Sequence, residues 1–138
     1  MTTITEQATV VLTIVDPKHP GRPPLTMNEW RNSHWSVKSE AKHRIHWQVL
    51  KALQTAGVKR GATPNFGCIS VRIMQWAPDG RKRDRDGLGA YRKDVLDALK
   101  NCGVVVDDSR QYVLDGGNDI EIDRKLPRME IHITEVLA

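Results

Sequence analysis

The chain has 138 residues, 39% of them apolar and 28% charged, with a net charge of +4. That length suits one domain with its own core and leaves too little for two. No run nears the roughly 20 apolar residues of a membrane span, and Cys68 and Cys102 are too far apart for a CxxC site, so membrane-spanning, disulfide-framework and zinc-module classes are disfavoured. Two reduced core thiols are expected instead. Met1-Thr2-Thr3-Ile4-Thr5-Glu6 has neither the basic nor the apolar region of a signal peptide, and a cytoplasmic protein without membrane association is expected. Charge is unevenly spread: residues 1–75 hold ten Lys/Arg against four Asp/Glu, while residues 76–138 hold eleven against thirteen. The first half therefore offers a surface to a polyanion, and the carboxylates gather downstream.

Thr9 to Val15 is β-branched and almost wholly apolar, which predicts a buried strand ending at Asp16-Pro17. The proline- and glycine-rich stretch Lys18 to Asn28 predicts a loop. Ser36 and Ser39 are alternative caps for a helix running to about Ala56, stopped by Gly57. Ala41, Ile45, Leu50, Leu53 and Ala56 follow helical spacing, with Lys38, Lys42, Arg44 and Lys51 largely off that stripe. Cys68 to Trp76 alternates, Ile69, Val71 and Ile73 facing one way and Ser70, Arg72 and Met74 the other.

Tyr91 to Cys102 predicts a second helix, stopped by Gly103. Val104-Val105-Val106 predicts a short strand ending at Asp107-Asp108, and Gln111 to Leu114 another. Asp115-Gly116-Gly117-Asn118 predicts a turn, and the acidic residues from Asp115 to Asp123 a solvated hairpin tip. Arg128 to Val136 alternates as a final strand. The expected architecture is one α+β domain over residues 1–138, a small mixed sheet with two helices packed on one face.

The chemistry centres on Asp79-Gly80-Arg81-Lys82-Arg83-Asp84-Arg85-Asp86-Gly87-Leu88. In extended backbone, Asp84 and Asp86 point to the same side. Two hard oxygen donors suit Mg²⁺ or Mn²⁺, and Arg81, Lys82, Arg83 and Arg85 would attract a polyanion. Asp107-Asp108 ends the next predicted strand, so three or four carboxylates could converge at one sheet edge. Each motif alone also reads as a solvated loop or a turn.

Together, Arg81 to Leu88, Lys93, Asp97-Ala98-Leu99, Gly103 and a hydrophobic triplet before Asp107-Asp108 resemble the RusA family of Holliday-junction resolvases. Pro23-Pro24-Leu25-Thr26-Met27-Asn28 is similar to that family's Pro- and Asn-containing loop. The resemblance implies a RusA-like fold and a homodimeric, Mg²⁺-dependent endodeoxyribonuclease that nicks four-way DNA junctions in recombination and repair. It implies Asp84, Asp86 and Asp108 as metal-binding and catalytic carboxylates, with Asp107 as a further metal ligand, and Lys93 as the functional lysine. Arg83 would match the basic residue before the first aspartate. Asn28, Arg31, Lys38, Lys42, Arg81, Lys82, Arg83 and Arg85 are the expected DNA-binding residues, with Arg44 and Lys51 extending the track.

Two departures stand out. Gly87 replaces the family's asparagine, and Asp86 to Asp97 is about three residues longer than the family's spacing. If the surplus precedes the helix, Lys93 falls four residues before Asp97 as the family requires; if it lies later, Ala90 takes the lysine position. Gly87 and Gly89 favour the first register, because they mark a loop. Rival readings are a non-catalytic DNA- or RNA-binding module of the same fold and a nuclease for flaps or forks. Trp30, Trp35 and Trp47 could stack on bases, although tryptophans near a helix start more often serve core or dimer contacts. His43 and His46, lacking a third ligand, read as solvent- or phosphate-facing.

Overall fold

Period-2 alternation builds the sheet. In a computed structural model that describes residues 8–137, β1 (Thr9–Ile14) buries Leu12 and Ile14 while Val11 and Thr13 face out. The N-terminal segment read for targeting signals lies outside the described residues. β2 (Ile69–Ala77) buries Ile69, Val71 and Ile73, and β4 (Arg128–Glu135) buries Met129, Ile131 and Ile133. Register puts these residues on one face: Leu12 pairs with Ile131, Ile131 with Ile73, and Ile133 with Val71. With β3 spanning Val113–Ile122, the order is β1-β4-β2-β3, antiparallel except for the parallel β2–β3 pair, so the sheet is mixed.

Two long helices supply the other half of the core. α2 (Trp35–Thr55) buries Ala41, Ile45, Val49, Ala52 and Leu53. α3 (Gly89–Asn101) buries Ala90, Tyr91, Val95, Ala98 and Leu99, and both sets join the sheet's apolar face in one cluster. Truncating a residue at its centre, such as Ile73, would cost roughly 2–5 kcal/mol. A third, short helix, α1 (Met27–Arg31), is closed by a capping box in which Thr26 and Glu29 satisfy each other's backbone N–H. The cap of α2 is His34, whose Nδ1 accepts from Ser36 N, and not Ser36 or Ser39.

The segment after α3 departs from the sequence expectation. Val104 to Val106 is a series of bends and not a strand, because Val104 N and Gly103 N close the end of α3 onto Leu99 O and Lys100 O. Val104 and Val105 are buried all the same. The expected turn and acidic hairpin tip at residues 115–123 lie instead mostly inside β3 (Val113–Ile122). A one-residue bulge opposite Val71 and Ile73 absorbs the glycines: Gly117 has φ +95°, and a Cβ on Gly116 would meet Val71 O at 2.9 Å. Arg92 of α3 clamps this bulge, donating to Val71 O at 2.7 Å and Asn118 Oδ1 at 3.1 Å.

Both thiols are free, Cys102 buried and Cys68 partly so. No helix among the described residues is long and apolar enough to cross a membrane.

Candidate functional site

The charged segment leaves β2 and folds into a single 3₁₀ turn, Arg85–Leu88, that runs straight into α3. Asp84 caps the turn, its Oδ1 accepting from Asp86 N at 3.0 Å. The extended Asp84–Asp86 backbone expected from sequence is therefore not adopted. An aspartate's preference for bonding the backbone two residues on outweighs extension here. Nor do Gly87 and Gly89 mark a loop: Gly87 lies in the turn and Gly89 opens α3. A Cβ on Gly89 would lie 2.8 Å from Met27 Cε, the flexible tip of a side chain that can swing aside.

Arg83 braces the approach to the turn. It donates to Asp79 O at 2.7 Å, Arg81 O at 3.1 Å and Asp79 Oδ1 at 2.8 Å. The Arg81 N–H and the Arg83 guanidinium hold the Asp79 carboxyl below its ordinary range. Arg81, Lys82 and Arg85 stay exposed.

Lys82, Arg83 and Asp84 form a ridge between two clefts. One, of about 530 Å³, is completed by Arg85, Asp119 and Ile120. The other, of about 660 Å³, lies under the Pro20–Glu29 segment and includes Asn28, Gln75 and Leu88. Gly21 seats that segment on the end of β2: its φ is +60°, and a Cβ there would lie 2.3 Å from Trp76 O. Only glycine fits.

Asp108 does not join Asp84 and Asp86. Its carboxyl lies beside that of Asp97, and burial followed by this neighbour pushes it above the ordinary range. Lys42 Nζ sits 2.9 Å from Asp97 Oδ2, and Lys100 pairs with Asp107 at 3.3 Å. Burial likewise raises Asp94. Asp97 lies eight residues beyond Gly89, roughly 12 Å along the helix axis, and Asp84 and Asp86 precede Gly89. The carboxylates thus fall into two groups, and the expected convergence is not present. Among the described residues, no three His, Cys, Asp or Glu side chains are grouped to hold an ion. Lys93 is exposed on α3, four residues before Asp97, in a hollow it shares with Lys42 and Asp94.

The expected phosphate track is partly committed elsewhere. Arg44 makes a two-point bridge to buried Asp16, 2.6 Å at each contact, with Gln48 adding a third bond at 2.8 Å. It is a structural pair and not a phosphate contact. Lys42 is engaged by Asp97, and Lys51 lines a hollow between β1 and α2. Lys38 lies over the Trp30 ring at 3.9 Å, and Arg31 and Asn28 are exposed. Trp35 and Trp47 are 72% and 66% exposed, which overturns the core reading for both. His43 is exposed and His46 partly so.

Sequence reasoning missed Gln75, Asp79 and the Asp97–Asp108 contact. Gln75 carried a signal: it continues the inward alternation of Ile69, Val71 and Ile73 as a polar residue on an apolar face. No protein-family model matches the chain, and no curated protein matches it significantly.

Proposed function

We propose that the protein is a Mg²⁺-dependent, structure-specific endodeoxyribonuclease acting on branched DNA, four-way junctions foremost, as a homodimer. The observation that carries this reading is the ridge itself: Asp84, with Asp86 in the same turn, stands between two clefts that share Lys82 and Arg83. The three-carboxylate site implied by the RusA resemblance does not fit the arrangement described above. Asp84 and Asp86 still supply the one or two carboxylates by which Mg²⁺ is commonly held, together with waters and substrate phosphate.

When bound, such an ion lowers the pKa of a coordinated water and stabilises the leaving oxygen of a phosphodiester. The chain's own residues do the rest. Asp84 and Asp86 hold the ion, and Arg81, Lys82 and Arg85 draw the sugar–phosphate strand over the ridge. Arg83 keeps Asp79 and the backbone before Asp84 in place. Lys93 is assigned to neutralise charge on the phosphate from the start of α3. Two opposed nicks need two sites related by a two-fold axis, and this chain has one, which is why a homodimer is proposed.

A second reading is a branched-DNA- or RNA-binding module without turnover, favoured specifically by the separation of Asp108 from Asp84 and Asp86. A supercoiled cruciform plasmid incubated with Mg²⁺, Mn²⁺ or EDTA decides between them. Metal-dependent linearisation supports the paired nuclease, and binding without nicking supports the module. Flap and fork substrates run beside the cruciform identify a nuclease of that preference. Light scattering on the free protein at micromolar concentration should give twice 15.6 kDa.

A further inference from the structure

Resting on the DNA-binding reading above, we propose that the 660 Å³ cleft receives one unstacked nucleobase of the branched DNA and that Gln75 reads it. The cleft has the parts of a small-molecule site and is more than a charged hollow. Its volume falls within the roughly 300–1,000 Å³ usual for such sites. Pro20, Pro23, Pro78 and Leu88 give it apolar walls, which suit the faces of a flat heterocycle. Its two other carboxylates are already engaged, Glu29 by Arg22 and the Thr26 N–H, and Asp79 by Arg83. The cationic rim of Arg81 and Lys82 lies where the phosphate of an inserted nucleotide would be left.

Gln75 supplies the specificity. It is only 4% exposed, yet it is among the residues that line the cleft. Its Nε2 donates to Gly21 O at 2.8 Å, which orients the amide. Its Oε1 accepts no hydrogen bond from the described residues, which leaves it free to accept from a ligand in the cleft that Gln75 lines. A lone acceptor at the floor favours a base that leads with an exocyclic amine, adenine N6, cytosine N4 or guanine N2. Thymine is disfavoured because carbonyl oxygens flank its only ring N–H and oppose Oε1. Turning a base out of the stack costs a few kcal/mol, and least where pairing is already interrupted. A branch point is such a place, so the cleft would also contribute to the preference for branched DNA.

The test uses the full chain and alters the DNA first, because substituting Gln75 also releases Gly21. With EDTA present, 2-aminopurine is placed in turn at each nucleotide flanking the branch of a four-way junction. Its fluorescence should rise severalfold at one position when protein binds. At that position, adenine or cytosine should bind about tenfold tighter than purine or 2-pyrimidinone, the analogues lacking the amine. Gln75→Met should erase this difference while thermal melting confirms that the variant is folded. Binding with no unstacking at any position, or equal affinity for base and analogue, overturns the cleft proposal and leaves the nuclease reading intact. Unstacking without cleavage in Mg²⁺ supports the cleft and overturns the nuclease. Failure to bind branched DNA at all overturns both.

Discussion

Asp97 and Asp108, one on α3 and the other in the segment that follows it, set two carboxyls side by side. Burial, then the neighbouring Asp97 carboxylate, raise the Asp108 carboxyl above its ordinary range. A raised acid favours folding at low pH, and that contribution is lost as pH rises through the raised value. Asp108→Asn keeps a donor and removes the charge. It should stabilise the protein at pH 8 by about 1 kcal/mol, the scale of one close like-charge contact in water. The gain should vanish near pH 3 in thermal melts.

The same variant tests the two-group arrangement of carboxylates. Asp84→Asn and Asp86→Asn should each slow single-turnover junction cleavage by roughly a hundredfold or more, with binding by gel shift unchanged. Asp108→Asn should have a distinctly smaller effect on cleavage. An equal loss would mean that the two acidic groups come together on DNA.

Lys82 and Arg44 should behave differently despite carrying the same charge. Lys82 is exposed on the ridge, whereas Arg44 is bound to Asp16. Lys82→Ala should weaken binding to all DNAs similarly and make the log–log salt slope shallower by about one unit. Arg44→Ala should leave the slope unchanged and lower stability, as filter binding and denaturant melts together would report.

Asp16 is 5% exposed, and the Arg44 guanidinium, with Gln48 and the Lys18 N–H, holds its carboxyl well below the ordinary range. A depressed acid contributes stability above its unfolded pKa, and that contribution is lost as pH falls through the depressed value. Asp16→Asn should cost roughly 2–3 kcal/mol at pH 7, less than the 3–5 of a fully buried pair because Arg44 is partly exposed. The deficit should shrink steadily below pH 4 in urea titrations.

Arg83 is a positioning residue in this structure, tied to Asp79 and two backbone carbonyls. Arg83→Ala should slow cleavage of already bound junction about tenfold, as expected when the backbone leading into Asp84 loses its brace. Asp79→Asn should give part of the same loss, because it weakens that brace without touching the basic surface. Normal cleavage by Asp79→Asn would remove the positioning role.

Much of the architecture was legible because it depends on periodicity. The alternation at Ile69, Val71 and Ile73 gave β2 and its buried face, and Gly57 and Gly103, both with positive φ, gave the ends of α2 and α3. β3 was legible only at its start. A glycine pair looks like a turn in one dimension, and only the neighbouring strand and Arg92 convert it into a bulge.

The sequence by itself determined which residues are charged, which are apolar, and that a basic segment carrying Asp84 and Asp86 joins a strand to a helix. Tertiary structure alone decided which of those charges are free. It gave Arg44 to Asp16, Lys42 to Asp97 and Arg83 to Asp79, which Arg81 also approaches, and left Lys82 and Arg85 to solvent. It also took Asp108 to Asp97 and placed the Gln75 amide beneath a proline-walled cleft. The physical reason is range. Hydrophobic periodicity is a local property written along the chain, whereas a charge or an amide is satisfied by whatever group the fold brings within about 3 Å of it.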